Sequence, residues 1–285
     1  MDMLLPFLVS GLGVGAVYAL SGVGLVVLFR ASGVLNFAFG AIGALAAHCA
    51  WSVLEADGGQ ALAWAVAIGV SMAVSLAYGR LLAPALAERD TSIRSIGTLG
   101  LALILVGFAE WTWGEGPRRL VLPTDADGLE FGDVRLTWTR VLGLATAVAM
   151  MAAVGLLLAR TRVGLRMRAL ADDRGLSALL GVRVLSVDGV AWALSGAFAG
   201  VCGMLLANIV RLQPTLLTFL VIPAFAAAIV GRLESLPVTV LAGVVIGVLE
   251  ACAILLPGFA PFRTAVPFLV ALLAILFFRN TTRKA

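Results

Sequence analysis

Residues 160–185 read RTRVGLRMRALADDRGLSALLGVRVL, and long apolar blocks flank them on both sides. Six arginines (160, 162, 166, 168, 174 and 183) stand there against two aspartates, Asp172 and Asp173. Lys and Arg between membrane blocks are retained on the cytoplasmic side, so this stretch orients everything around it. Leu165, Ala169, Leu176, Leu179 and Leu180 recur at roughly helical spacing, and Gly175 and Gly181 can interrupt or end a short helix. The expectation is one or two short amphipathic helices in a cytoplasmic loop over residues 160–187. Charge and periodicity fit two roles: a topology signal lying on the lipid surface, or a docking element for a soluble partner.

Composition fixes the class. Hydrophobic residues are 61% of the chain, charged residues 13%, and mean hydropathy is +1.07. Soluble domains run at about 45–50% apolar and about 25% charged, so this is a polytopic membrane protein. The longest polar stretch, Gly114–Trp138, is too short for a core of its own. One transmembrane domain over 1–285 is expected, with 114–138 as an external loop. The arginines lie between apolar blocks, which excludes a nucleic-acid surface. Cys49, Cys202 and Cys252 are far apart and have no metal or disulfide spacing. A lone His48 makes no proton relay, and no P-loop or Ser/His/Asp arrangement is present, so no catalytic residue and no metal ligand is expected.

Crossing a bilayer takes about 20 apolar residues. Candidate spans are 4–29, 34–54, 61–83, 96–113, 141–159, 190–210, 216–230, 236–256 and 262–278. The fold expected is an all-α transmembrane bundle of about eight to nine segments. Residues 216–230 are short and contain Pro223, so that segment is a full crossing or a broken, re-entrant one. With the central loop inside, alternation puts 14 of the 20 Lys and Arg inside, including Arg283 and Lys284, and six outside. The N-terminus is then external and the C-terminus cytoplasmic. Gly11/Gly15, Gly196/Gly200 and Gly243/Gly247 are GxxxG pairs of the kind that let helices approach closely in lipid, though 32 glycines make such pairs common by chance. Polar residues within spans are few: Asn36, Glu110, Asn208 and Glu250. Glu110, beside Trp111 and Trp113, reads as interfacial; Glu250 reads equally as interfacial or as facing a cavity.

Three stretches carry a resemblance. GVGAVYALSGVGLVVLFRASGVLNFAFG (13–40) resembles the opening of branched-chain amino-acid ABC importer permeases, with their G-x-x-Y-A-L and N-F-A-H-G. TRVGLRMRALADDRGLSALLGV (161–182) is similar to that family's cytoplasmic loop, T-x-x-G-x-x-x-R-A with an acidic pair. AFAAAIVGRLESLPVTVLAGVVIGVLE (224–250) is similar to its double glycine, S-x-P-G and G-x-x-x-G with Glu. The chain departs at Phe39, where the family often has His, at Arg232, which replaces the second glycine, and at Val238, which replaces the Gly after Pro237.

The resemblance implies a permease subunit of an ATP-driven importer in a bacterial cytoplasmic membrane, moving branched-chain amino acids or a related small solute. It implies a second permease or a second copy of this chain, two ATP-binding cassette subunits that hold ATP and Mg, and an external solute-binding protein; no cofactor is bound by the chain itself, and no nucleic acid. It favours docking for the central loop, through Gly164, Arg168, Ala169, Asp172, Ala178 and Gly181. Asn36, Phe37, Phe39, Gly40, Asn208 and Glu250 are the candidates for the solute path. The alternative is a stand-alone ion-coupled carrier, against which stands the lack of a central Asp, Lys or His.

The topology is testable in a chain lacking native cysteines. Gly128→Cys is expected to react with an impermeant maleimide from outside and Ser177→Cys is not; the reverse pattern would invert the orientation.

Overall fold

The computed structural model describes residues 4–125, 128–131, 134–255, 258 and 260–282. Leu256, at the end of the eighth expected span, and Arg283 and Lys284 of the basic tail lie outside the described residues. The described residues are mostly helical, with a two-stranded antiparallel hairpin, β1 (Gly128–Phe131) and β2 (Val134–Thr137), within the expected external loop. The helices are α1 (Leu4–Ser32), α2 (Phe39–Glu55), α3 (Gln60–Leu81), α4 (Thr91–Trp113), α5 (Trp138–Arg160), α6 (Arg162–Asp172), α7 (Arg174–Leu179), α8 (Val184–Ile209), α9 (Pro214–Phe219), α10 (Ile222–Val230), α11 (Leu236–Ala253) and α12 (Val266–Thr282).

Among the described residues five helices are long and apolar enough to cross a membrane: Pro6–Ser32, Gln60–Leu81, Thr91–Trp113, Val184–Ile209 and Leu236–Ala253. The segments Ala145–Arg160 and Arg162–Asp172 are bent by 77° and make a sixth if taken as one span. Phe39–Glu55, Pro214–Val230 and Phe262–Phe277 are shorter apolar segments where the other spans were expected. Expected span 216–230 is two helices. In a continuous helix the ring of Pro223 would strike the carbonyl of Phe219, four residues earlier; as the second residue of α10 it meets no such carbonyl.

The second expected span starts five residues late. Gly33 adopts φ +69° and ends α1. Residues 33–38 are then non-helical, and four of their backbone donors are met by side chains. Val34 N donates to Ser32 Oγ at 3.2 Å, Leu35 N to Ser95 Oγ at 3.2 Å, Phe37 N to Thr98 Oγ1 at 2.9 Å and Ala38 N to Asn36 Oδ1 at 3.1 Å. Such an irregular segment survives in an apolar setting only when its polar groups are satisfied within the protein. Helix α8 starts at Val184, six residues before its expected Val190.

The helices form two compact units. The larger comprises Val27–Pro123 and Val148–Leu220. Its centre is α2, α3 and α8, which meet along small residues. Cβ atoms at Gly196 would fall 2.6 Å from Ser71 O, and at Gly43 2.6 Å from Ala199 O, while Gly203 lies directly on Gly43. Ala67, Ser71 and Ser75 of α3 line the same seam, with Ser75 Oγ donating to Trp192 O at 2.6 Å. A second core of Leu28, Ala31, Val34, Tyr78, Met167, Leu170, Val187, Ala191 and Trp192 holds α6 against the ends of α1 and α8.

The smaller unit comprises Met1–Val26, Thr124–Ala147 and Val221–Ala285. Here two of the sequence's GxxxG pairs face each other. A Cβ at Gly15 would sit 2.8 Å from Val244 O, one at Gly243 2.5 Å from Ala19 N, and Gly247 lies on the Gly15 backbone. Tyr18, Ala226, Ala227, Ala242 and Ile246 complete that core. At the turn after α10, Arg232 and Leu233 have φ +56° and +57°. Arg232 thus holds the left-handed backbone for which the family's second glycine is suited.

Gly203→Val is expected to destabilise the larger unit by about 3 kcal/mol or more, because the backbone of Gly43 has nowhere to move. Gly69→Val is the control, since nothing lies within 4 Å of a Cβ there. Monodisperse yield after detergent extraction measures both; equal yields would remove close packing as the reason for the glycine.

Candidate functional site

The central loop is built by two caps and one close contact. Thr161 Oγ1 accepts from Gly164 N at 3.1 Å and donates to Leu157 O at 2.7 Å, ending α5 and starting α6 in one residue. The sharp bend lays Gly164 on the last turn of α5, where a Cβ would meet Leu158 Cα at 2.5 Å. That is the physical content of T-x-x-G. Asp173 Oδ1 accepts from Leu176 N at 2.9 Å and caps α7. Gly181 ends α7 with φ +85°, and Gly181 N and Val182 N return to Ala178 O and Ser177 O, each at 3.0 Å. The break between the two helices falls at Asp173, not at Gly175.

The buried face of this loop is Gly164, Met167, Leu170 and Ser177. The leucines that gave the sequence its apolar period point the other way. Leu165, Leu176, Leu179 and Leu180 are exposed, Leu179 at 86%. Arg168, Asp172, Ala178 and Gly181 are exposed with them, and Ala169 is half-buried. So the sequence period marks outward apolar residues, on a loop that also exposes Arg162, Arg166 and Arg168, while Met167 and Leu170 face inward. Ser177 is itself buried, and Leu179→Cys is the sounder accessibility probe for this side of the protein.

The candidate path residues fall in distinct settings. Asn36 is 1% exposed. Its Oδ1 takes the Ala38 amide, while its Nδ2 has no hydrogen-bond partner among the described residues. It does not cap α2 by reaching into the first turn; it closes a local turn two residues ahead of itself. Phe37 is half-buried, its amide held by Thr98. Phe39 is fully buried as the first residue of α2. Gly40 admits α9, since a Cβ there would sit 2.5 Å from Thr218 O. Asn208 donates to Leu120 O at 3.1 Å, fastening the chain between the buried Leu120 and Leu122 to the end of α8, with Val121 between them exposed. Glu110 accepts from Thr215 Oγ1 at 2.5 Å. Asn36, Phe37, Phe39 and Gly40 therefore form one neighbourhood with α4 and α9. Glu250 belongs to the smaller unit, where Tyr18 Oη donates to it at 2.9 Å.

Sequence reasoning missed the residues that hold this neighbourhood. Arg94 Nη2 donates to Ser32 O at 2.5 Å, and Arg174 Nη1 to Ala31 O at 2.5 Å. Ser95 and Thr98 support residues 35–37. A Ser and a Thr three apart at the start of an apolar helix, next to an arginine, are the signal that could have found them; one helical turn puts both on one face.

The family profile described as branched-chain amino acid transport system / permease component matches residues 7–277. The high-affinity branched-chain amino acid transport system permease protein LivH of Escherichia coli K12 is 26% identical over 260 residues, 85% of this chain and 83% of the relative. BraD of Pseudomonas aeruginosa, a permease protein of the same description, is 27% identical over 286 residues, 95% of this chain and 92% of its own. Among solved structures, a chain assigned as a metal-chelate type ABC transporter in an inward-facing conformation superposes with a TM-score of 0.49 at 20% identity, covering 99% of this chain and 86% of that one. The profile match runs over nearly the full length, and the chain belongs to the family of branched-chain amino acid transport system permease components.

Proposed function

We propose that the chain works as the membrane-spanning subunit of an ATP-driven importer, passing branched-chain amino acids or a closely related small solute through one permease domain. The observation that carries the coupling half of this reading is the outward leucine face of α6 and α7. A contiguous exposed apolar patch rimmed by charge marks a protein interaction site. In a subunit of this family the partner that fits is a separate ATP-binding cassette, which supplies ATP and Mg; this chain performs no hydrolysis. Leu165, Leu176, Leu179 and Leu180 fill an apolar cleft, Ala169 and Ala178 let the helices sit low in it, and Arg168 pairs with acidic groups on its rim. The subunit operates in a bacterial cytoplasmic membrane beside a second permease or a second copy of itself. An external binding protein delivers the solute.

For the path, the supporting observation is the buried, unpaired Nδ2 of Asn36 in a non-helical segment. A buried donor without an acceptor is costly, and a passing carboxylate or carbonyl satisfies it. Unwound backbone inside a membrane protein is a recurrent place for solute contacts. Phe37 and Gly40 flank it in sequence.

Two tests follow. Arg168→Glu and Leu179→Asp are expected to abolish co-purification of the cassette subunits and solute uptake at unchanged membrane abundance; wild-type uptake by both would refute the docking face. Asn36→Asp keeps the oxygen that holds Ala38 and removes the free donor. It is expected to retain abundance and lose uptake by roughly tenfold or more, the scale of one lost hydrogen bond to a charged group. Uptake at the wild-type level by Asn36→Asp and Asn36→Ser alike would reduce Asn36 to a turn residue.

A further inference from the structure

Helix α7 has six residues and buries only Ser177 against the rest of the protein. Packing alone does not fasten it. Its polar tie is Arg174, the first residue of the helix. Arg174 Nη2 donates to Asp188 Oδ2 at 2.6 Å and Nη1 to Asp188 Oδ1 at 3.3 Å, and Nη1 also donates to Ala31 O at 2.5 Å. Asp188 lies in the first turns of α8, and Ala31 is the penultimate residue of α1. One guanidinium therefore joins three helices. The bidentate fork fixes its plane on α8, and the remaining reach of Nη1 goes to a carbonyl at a helix C-terminus, where the dipole favours a cation.

The carbonyl it holds adjoins the segment that carries Asn36. Ser32 O, the next carbonyl along, is held by Arg94 of α4. The end of α1 is thus gripped from α7 on one carbonyl and from α4 on the next. Gly33, in its left-handed conformation, follows at once, and Val34–Ala38 hang on Ser32, Ser95, Thr98 and Asn36 side chains. A shift of α7 relative to α4 pulls the two carbonyls apart. The strain falls on Gly33 and the side-chain-held segment, because a regular helix on either side resists it.

We propose that Arg174 is the positioning residue that passes displacement of the docking helix α7 to the C-terminus of α1, and through Gly33 to the segment bearing Asn36. It acts through Ala31 O and touches neither solute nor nucleotide. The proposal rests on the reading of α6 and α7 as the cassette-docking face, and it adds the route by which docking is felt at the path.

The test uses the whole importer, chain with co-expressed cassette subunits and binding protein, reconstituted in proteoliposomes. Capture of the cassettes by the unaltered chain is measured first; its failure sinks the docking reading and this proposal with it. Arg174→Ala and Arg174→Lys are then compared. Lysine keeps the charge but cannot hold both Asp188 oxygens and Ala31 O together. Both variants are expected to capture the cassettes. Leucine uptake should fall by roughly tenfold or more in Arg174→Ala, as displacement of a site by about an ångström can do, and less in Arg174→Lys. ATP hydrolysis should continue without dependence on the loaded binding protein. In a chain lacking native cysteines, the thiol-labelling rate of Leu35→Cys should change with ATP and vanadate, and that change should vanish with Arg174→Ala. A purely structural role would lower abundance and leave the ratio of solute moved to ATP hydrolysed intact. If Arg174→Ala does not accumulate, Asp188→Asn, which loosens the fork, is expected to show the same uncoupling. Coupled uptake by the variants, or loss of cassette capture by both Arg174 variants, overturns the proposal.

Discussion

The end of α1 is the point on which the larger unit depends. A helix of 29 residues presents its unpaired carbonyls there in an apolar surround. Burying them unsatisfied would be costly. Arg94 and Arg174 supply the missing donors, Ser32 Oγ donates to Leu28 O at 2.8 Å, and Gly33 N returns to Phe29 O at 2.7 Å. With the terminus closed this way, α2 can begin at Phe39 after six residues, 33–38, that are neither helix nor strand. Ser95 and Thr98 stand in for the backbone partners that segment lacks, and Thr98 Oγ1 also donates to Leu35 O at 3.1 Å.

The same economy of polar groups explains the rest of the seam. The long apolar helices meet through Gly, Ala and Ser, where association in lipid comes from close backbone packing instead of the expulsion of water. Gly43 on Gly203 in one unit, and Gly15 on Gly247 in the other, are the tightest approaches. Larger buried side chains need room opposite them. Trp192 lies against Tyr78 with ring centroids 5.0 Å apart, and Gly79 is the residue that leaves it room. This aromatic pair underlies Met167 and Leu170, so the rigid part of the membrane unit directly supports α6, while α7 beside it is held mainly by one arginine.

Much of this was legible in the sequence, and the misses share a cause. Composition and the arginine-rich stretch 160–185 led to a helical membrane protein with a two-helix loop, and Gly33, Gly181 and the facing GxxxG pairs occupy roles that sequence logic assigns to glycine. The start of α2 was misplaced because hydropathy cannot tell a helix from an apolar segment whose amides are met by side chains of a distant helix; Ser95 and Thr98 are 60 or more residues from Leu35 and Phe37. The face of α6 and α7 was ambiguous because both faces are apolar. Leucine dominates the outward one, and Met167, Leu170 and small residues the inward one, so periodicity registered the stronger signal without its direction.

The departures from the family pattern separate along the same line. Phe39, in place of the family's frequent histidine, is buried as the first residue of α2, so it packs and offers no polar group. A histidine there would bring a second donor or acceptor into the neighbourhood of Asn36. Its absence leaves the Asn36 amide as the polar group of that segment with a donor to spare, and makes the local environment less polar than the family pattern implies. Arg232 keeps the left-handed backbone of a glycine and departs only in side chain, and Val238 is exposed on the first turn of α11. Two of the three changes thus leave the backbone course intact. The third puts an apolar ring three residues after Asn36, whose Nδ2 is the side-chain amide nitrogen that stays buried without a hydrogen-bond partner among the described residues, so it changes side-chain chemistry where the others do not.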